Sequence, residues 1–220
     1  MKARFIAPAQ YELDEAVRAA GWRAIAAPGP QCYFVVMDTA LAQKLMTAEE
    51  FAVWAEARPE KHWELFEGAP ELQQSQSWGH AHFKFRIAQA LDGAIVRSGL
   101  KLFLGLDGIV VKAGPKTAFL PDVVIFTGTM DYQDIITPDP IVAVEVLSPS
   151  TQKKDFTVKL RGYFDVPTIQ RYLIVNWEDR EIIHHYRSGD GLAKPSIVRD
   201  GLLRLAPPGI EIAHADIFRD

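Results

Sequence analysis

Two carboxylates stand inside otherwise apolar, strand-like runs, Asp122 in Leu120-Pro121-Asp122-Val123-Val124-Ile125 and Glu145 in Val142-Ala143-Val144-Glu145-Val146-Leu147. A carboxylate in such a run loses solvation that only a cation, a metal or a set of hydrogen bonds restores. Two of them point to a divalent ion held through oxygen, with positions left for water and phosphate. Alternate side chains of a strand share a face, which groups Glu145 with Ala143 and Leu147, and Asp122 with Val124 and Phe126. On neighbouring strands the two carboxylates converge at one edge of a sheet. The alternative for each is to cap a turn or pair with an arginine.

A third candidate lies downstream. In Asp155-Phe156-Thr157-Val158-Lys159-Leu160-Arg161-Gly162-Tyr163-Phe164, the residues Phe156, Leu160 and Phe164 recur at intervals of four and mark the buried stripe of a helix. Lys159 sits about 60° round from Phe156, at the border of that stripe. From there it can lean toward the sheet and offset negative charge building on a phosphate, or it can pair with Asp155 in solvent as an i, i+4 couple. His80 and His82, two apart on a helix, point about 200° apart and cannot chelate one ion together. His82 reads as a surface or helix-start residue, and His184 and His185 as structural or exposed on opposite faces of a strand. No Gly-x4-Gly-Lys-Ser phosphate loop is present.

The elements that must position these groups are legible in outline. Thr47-Ala48-Glu49-Glu50 has the spacing of a capping box and opens a helix through Glu56, closed by Pro59. His62 to Gly68 alternates as a strand, with a turn at Gly68-Ala69-Pro70 and a second short strand around Glu71 to Gln73. A helix over Gly79–Arg97 places Phe83, Ile87, Leu91 and Ala94 on one buried face. Strands are expected near Lys101–Leu104, Ile109–Lys112, Ala118–Phe126 and Ile141–Leu147, then a helix over Asp155–Asp165, then strands at Arg171–Asn176, Glu181–Arg187 and Leu202–Leu205. This is an α/β arrangement, a mixed sheet flanked by helices. Residues 1–44 read as an N-terminal appendage: Tyr11 to Ala27 is alanine-rich and helix-permissive, Pro28-Gly29-Pro30 is a break, and Gln31 to Val36 fits a short strand.

It is at these residues that the chain resembles a known family. Pro121-Asp122, Val144-Glu145-Val146-Leu147-Ser148-Pro149-Ser150-Thr151, then Asp155, Lys159, Leu160 and Tyr163, then Tyr172-Leu173-Ile174-Val175 are similar to the motifs of a restriction endonuclease-like family, long catalogued as a domain of unknown function, within the PD-(D/E)XK nuclease superfamily. Met46 to Phe51 resembles its opening helix, Trp63 to Gly68 its first strand, and His80 the histidine that begins its first core helix. The resemblance spans about residues 45–190. It implies a restriction-endonuclease-like domain over 45–220, with a central mixed β-sheet flanked by helices and a magnesium-dependent phosphodiester hydrolase site. Carried over by position, Asp122 and Glu145 are the metal ligands, Glu64 completes the metal site, and Lys159 is the catalytic lysine. Leu147 stands where the common superfamily pattern has its lysine; in this family the lysine sits on the following helix, which fits Lys159. Departures are Asn176, where an aspartate often stands, and the Thr168-Ile169-Gln170-Arg171 segment.

The resemblance implies a DNA endonuclease using Mg2+ or Mn2+, with Asp122, Glu145 and Lys159 as its catalytic set and DNA as substrate partner. The alternative is a catalytically inactive nuclease-fold binding or assembly module. A phosphatase or nucleotide hydrolase is a third class. Composition agrees with a globular chain: 220 residues, 48% hydrophobic, are enough to bury a substantial core. The net charge of -4 gives no global signature of a nucleic-acid binder, so contacts to DNA would come from a local patch such as Lys112, Lys116, Lys153, Lys154 and Arg161, unless these are ordinary solvated surface. A homodimer is expected by analogy, since cutting two strands benefits from two sites. One cysteine, Cys32, excludes an intramolecular disulfide and reads as a small core residue. No signal peptide or spanning segment is evident, so the expectation is a cytoplasmic protein with no membrane association.

Overall fold

A computed structural model describes residues 45–73, 75–131, 133–148, 155–189, 191 and 193–219, together with the backbone of three earlier strands. The chain falls into two compact units, Met1–Lys44 and Leu45–Asp220.

In the first unit, β1 (Phe5–Pro8), β2 (Trp22–Ala26) and β3 (Cys32–Met37) form an antiparallel sheet in the order β1-β3-β2. The stretch read as helix-permissive through Ala27 is therefore a strand over Trp22–Ala26. Trp22 to Ala26 pair with Met37 to Tyr33 instead, because cross-strand pairing overrides local helix propensity, even that of alanine. Residues 11–21 of that stretch lie outside the described residues.

The second unit begins with α1 (Ala48–Glu56). Its capping box is complete: Thr47 Oγ1 accepts the Glu50 N–H at 3.2 Å, and Glu50 Oε2 accepts the Thr47 N–H at 3.0 Å. Strands β4 (Trp63–Phe66) and β5 (Ala69–Leu72) form a hairpin. Its turn is Glu67-Gly68, both at positive φ (48° and 87°), one residue earlier than expected. Helix α2 (Trp78–Ser98) starts at Ser77, whose hydroxyl accepts the His80 N–H, and stops at Gly99 in the left-handed conformation.

Next come β6 (Phe103–Leu106), β7 (Val111–Gly114), β8 (Thr117–Phe119), β9 (Val123–Thr127) and β10 (Asp139–Val146). The single strand expected across Ala118–Phe126 is two strands in different sheets. Pro121, with no N–H and a fixed φ, cannot continue a ladder, and there the chain leaves the four-stranded sheet β5-β4-β8-β7 and enters a six-stranded one. Asp122 thus stands at a break between sheets, not mid-strand. The chain continues through a π-helical turn (Asp155–Lys159), α3 (Leu160–Asp165), β11 (Arg171–Asn176), β12 (Glu181–Arg187), β13 (Ala193–Val198), β14 (Leu202–Leu205), β15 (Ile210–Ala213) and α4 (His214–Phe218).

The six-stranded sheet runs β13-β12-β11-β10-β9-β6, with β10 parallel to β11 and antiparallel to β9. The alternation expected for β10 holds. Val142, Val144 and Val146 pack with Val123 and Ile125 beneath Ile87, Leu91 and Ala94 of α2. On the other face, Ala143 and Leu147 pack with Val124 and Phe126 against Tyr163, Phe156 and Leu160. Truncating Ile87 or Leu91, both fully buried, to alanine would cost about 2–5 kcal/mol each. A third cluster, with Phe51, Leu65 and Ala118, joins α1 to the smaller sheet.

Candidate active site

Because Val144 pairs with Val123, Asp122 and Glu145 come to the same end of two adjacent strands. They are then engaged from opposite faces of the sheet. Asp122 is served by α2: Lys84 Nζ lies 2.8 Å from Oδ1 and His80 Nε2 3.2 Å from Oδ2. Oδ2 also accepts the Val146 N–H at 2.7 Å, which ties the carboxylate across to β10. Burial by itself raises the Asp122 carboxyl pKa, but the His80 hydrogen bond and the charges of His80 and Lys84 together outweigh it and hold the group below the usual aspartate range. Lys84 is the mirror case. Burial lowers its pKa, and Asp122 and Asp107 more than reverse that, so the amine stays cationic.

Glu145 is served from the other face. Lys159 Nζ is 2.8 Å from its Oε1, and the Tyr163 hydroxyl donates to the same oxygen at 2.7 Å. Lys159 also lies 2.9 Å from Glu64 Oε1, an oxygen that accepts the Leu120 N–H at 3.2 Å. Lys159 is 2% exposed and Glu64 is fully buried, so the alternative of a solvated Lys159 paired with Asp155 does not hold. The π-helical turn ends at Lys159. Such wide turns change which side chains face inward, and Lys159 is carried from the border of the apolar stripe into the sheet. Gly162 permits the approach: a Cβ there would collide with the buried ring of Phe119 on β8. Burial and then the neighbouring Glu145 push the Tyr163 hydroxyl pKa well above its usual value, keeping it a donor.

Both groups open onto one cavity of about 580 Å³, whose wall includes His80, Asp107, Asp122, Glu145 and Lys159. Glu64 is not part of that wall; its carboxylate holds Lys159 from behind. Among the described residues no three His, Cys, Asp or Glu side chains cluster as a ready metal shell. The residues present nevertheless fit a magnesium-type ion. Such an ion takes one or two carboxylates and completes its octahedron with waters and phosphate oxygens, and Asp122 and Glu145 are hard oxygen donors on adjacent strands facing the same space. An ammonium group already rests on each, which identifies this wall as one that gathers positive charge.

The expected basic patch is not the cavity wall. Lys112 pairs with Glu49, Arg161 reaches Asp165 at 4.0 Å, and neither they nor Lys116 line the cavity; Lys153 and Lys154 lie outside the described residues. Lys61 and His62 line it instead. His82 is half-buried, stacked on Trp78 with ring centroids 4.9 Å apart. His184 and His185 are both buried, so the structural reading holds for them and the exposed one does not. The residue the sequence reading missed is Lys84. Its signal was present: with His80, Ile87 and Leu91 it forms an i, i+4, i+7, i+11 series, which puts a lysine in the phase of a buried face.

The comparisons with known proteins bear on the family and the fold. The family model Uma2, described as "Putative restriction endonuclease", matches residues 48–215. The chain belongs to the Uma2 family. An uncharacterized protein of Synechocystis sp. is 30% identical to this Uma2 chain over 154 residues, 66% of the chain and 76% of the relative. A second uncharacterized Synechocystis protein is 25% identical over 150 residues, 67% and 84% of the two lengths. A crystal structure described as a putative nuclease belonging to DUF820, from Anabaena variabilis, matches with a TM-score of 0.61 at 16% identity, covering 79% of this chain and 97% of that one. The Uma2 chain therefore has the restriction-endonuclease-like fold, and its family is one of nuclease type. No helix among its described residues is long and apolar enough to cross a membrane.

Proposed function

We infer that this chain is a Mg2+- or Mn2+-dependent DNA endonuclease that hydrolyses phosphodiester bonds, with the domain over 45–220 carrying the site and residues 1–44 an appendage to it. The observation that carries this reading is the placement of Asp122 and Glu145 at one end of adjacent strands, on the wall of one cavity, with Lys159 buried against Glu145. Asp122 and Glu145 would hold the ion, which when bound supplies Lewis-acid polarisation of the phosphate and a lowered pKa for the attacking water. Lys159 offsets negative charge as it develops on the phosphate. Glu64 and Tyr163 keep Lys159 and Glu145 in register, and His80 with the Val146 N–H fixes Asp122. Glu64 serves as a support for the lysine and not as a metal ligand.

The test is nicking of supercoiled plasmid in Mg2+ or Mn2+ by the wild type, Glu145→Ala and Lys159→Ala. Metal-dependent nicking that both substitutions abolish is the expected result. Nicking unchanged by both would place the activity elsewhere, and the absence of cleavage on any substrate would favour a binding or assembly module. Two cuts per binding event, giving linear product directly, would accompany a homodimer.

A further inference from the structure

The proposed mechanism gives no role to a buried cation beside the site, Lys84. Lys84 Nζ sits 2.6 Å from Asp107 Oδ1, 2.7 Å from Gln76 Oε1 and 2.8 Å from Asp122 Oδ1. An ammonium has three N–H donors, and here three oxygens take them. The three acceptors come from separate parts of the chain: the segment before α2, the turn after β6, and the start of β9. All three acceptor residues line the cavity, whereas Lys84, 5% exposed, reaches them from behind, from α2.

We propose that the Lys84 ammonium is a permanent cation of the site, occupying with a protein group the second of two cation positions along the acidic wall, so that one divalent ion and not two completes it. The inference rests on the metal-dependent reading above. Phosphodiesterases that use two ions place them close together and share oxygen ligands between them. Asp122 would be such a shared ligand: it faces the cavity, its Oδ1 serves Lys84, and its Oδ2 takes the Val146 N–H and the His80 contact. The three oxygens around Nζ are of the hard type, at distances that run from the upper end of the calcium range to slightly beyond it. Water can reach the Asp107 side chain, 52% exposed, and the exposed Gln76, but Asp122 is buried, and removing the lysine from that buried pair leaves its charge uncompensated. A lysine tethered to α2 meets that need at every metal concentration. It also holds the charge of the wall low enough for one further divalent ion.

The decisive experiment counts Mn2+ bound to the full chain by calorimetry and electron paramagnetic resonance. The wild type is expected to bind one ion. Lys84→Ala, which opens the oxygen cage and removes its cation, is expected to bind two, and Lys84→Ala/Asp107→Asn one again. In EDTA the single variant should melt below the wild type and recover on addition of Mn2+, while the double variant should recover in part without metal. A purely structural lysine would give a melting loss that neither Mn2+ nor Asp107→Asn repairs. Should Lys84→Ala fail to fold, Lys84→Gln keeps the stem and is expected to bind Mn2+ at least about tenfold more tightly than wild type, a gain of about 1.4 kcal/mol. Two ions on the wild type, or one ion of unchanged affinity on both Lys84 variants, would overturn the inference. No Mn2+ on the wild type would instead overturn the metal-dependent reading beneath it.

Discussion

Lys159 and Glu64 are joined by a 2.9 Å ion pair with almost no exposure to solvent, 3% and 0% for the two side chains. Glu64 belongs to the four-stranded sheet and Lys159 to the helical segment that packs on the six-stranded one, so this contact locks the two sheets together at the site. Breaking a buried pair from one side typically costs about 3–5 kcal/mol. Glu64→Gln, which keeps an acceptor for the Leu120 N–H, should lose about 3 kcal/mol in urea unfolding and slow nicking at least about tenfold, yet leave Mn2+ affinity unchanged. A matching fall in Mn2+ affinity would make Glu64 a metal ligand after all.

The Tyr163 hydroxyl touches Glu145 and not the cavity. Tyr163→Phe removes one charge-assisted hydrogen bond and keeps the ring edge-on to Phe119 and tilted against Tyr172. A loss of about 1.5–3 kcal/mol in stability is expected, read by chemical denaturation. The maximal nicking rate should fall while the Mn2+ dependence shifts little.

Gly162 has no room for a methyl group beside Phe119. Gly162→Ala should destabilise the domain by about 1–3 kcal/mol through overpacking, and displacement of α3 should reduce activity with it. Phe119→Leu in the same chain should restore part of the melting temperature. No recovery would mean that the strain is not at that contact.

His184 supplies a pH dependence away from the site. Burial first, then Arg171 and His185, lower its pKa from 6.5 to about 4, and burial lowers His185 as well. The unfolded chain takes up these protons more readily than the folded one, so stability is complete above about pH 6.5 and declines as pH falls toward 4. For His184 alone the decline is on the order of 3 kcal/mol. Urea denaturation at pH 7 and pH 5 measures it, and His184→Leu should flatten the slope. An unchanged slope would assign the effect to other groups.

Much of this was readable in the chain itself, because the signals were periodic and strong. The β10 run from Val142 to Leu147 alternates as its pattern requires, and Thr47 and Glu50 make the box that their spacing specifies. Asp122 and Glu145 were conspicuous because charges interrupt apolar runs, and Lys159 because a known motif order pointed to it. Other features depend on tertiary context that no local window contains. The break at Pro121 looks like a strand interior until two sheets compete for its flanks. Strand β13, with Lys194-Pro195-Ser196, carries no alternation and exists because β12 offers it an edge. Lys84 was hidden by its type, since an isolated lysine on a long helix is ordinarily solvated, and its partners Gln76, Asp107 and Asp122, the last of them buried, come from distant parts of the chain.

The change of sheet at Pro121 has a consequence for when the candidate site exists at all. The acidic and basic groups come from positions 64, 80, 122, 145 and 159, and they meet only when both sheets have formed and Lys159 has bridged them. A ribosome-bound chain that has emerged only to β10 holds its carboxylates and Lys84 but not Lys159, and melting of the smaller sheet would separate Glu64 from Lys159. Under the proposed function, cleavage capacity would be latent during synthesis and withdrawn once the smaller sheet melts. Nicking activity followed along a urea titration should vanish ahead of the far-ultraviolet circular dichroism signal, so that damaged copies fall silent before they come apart.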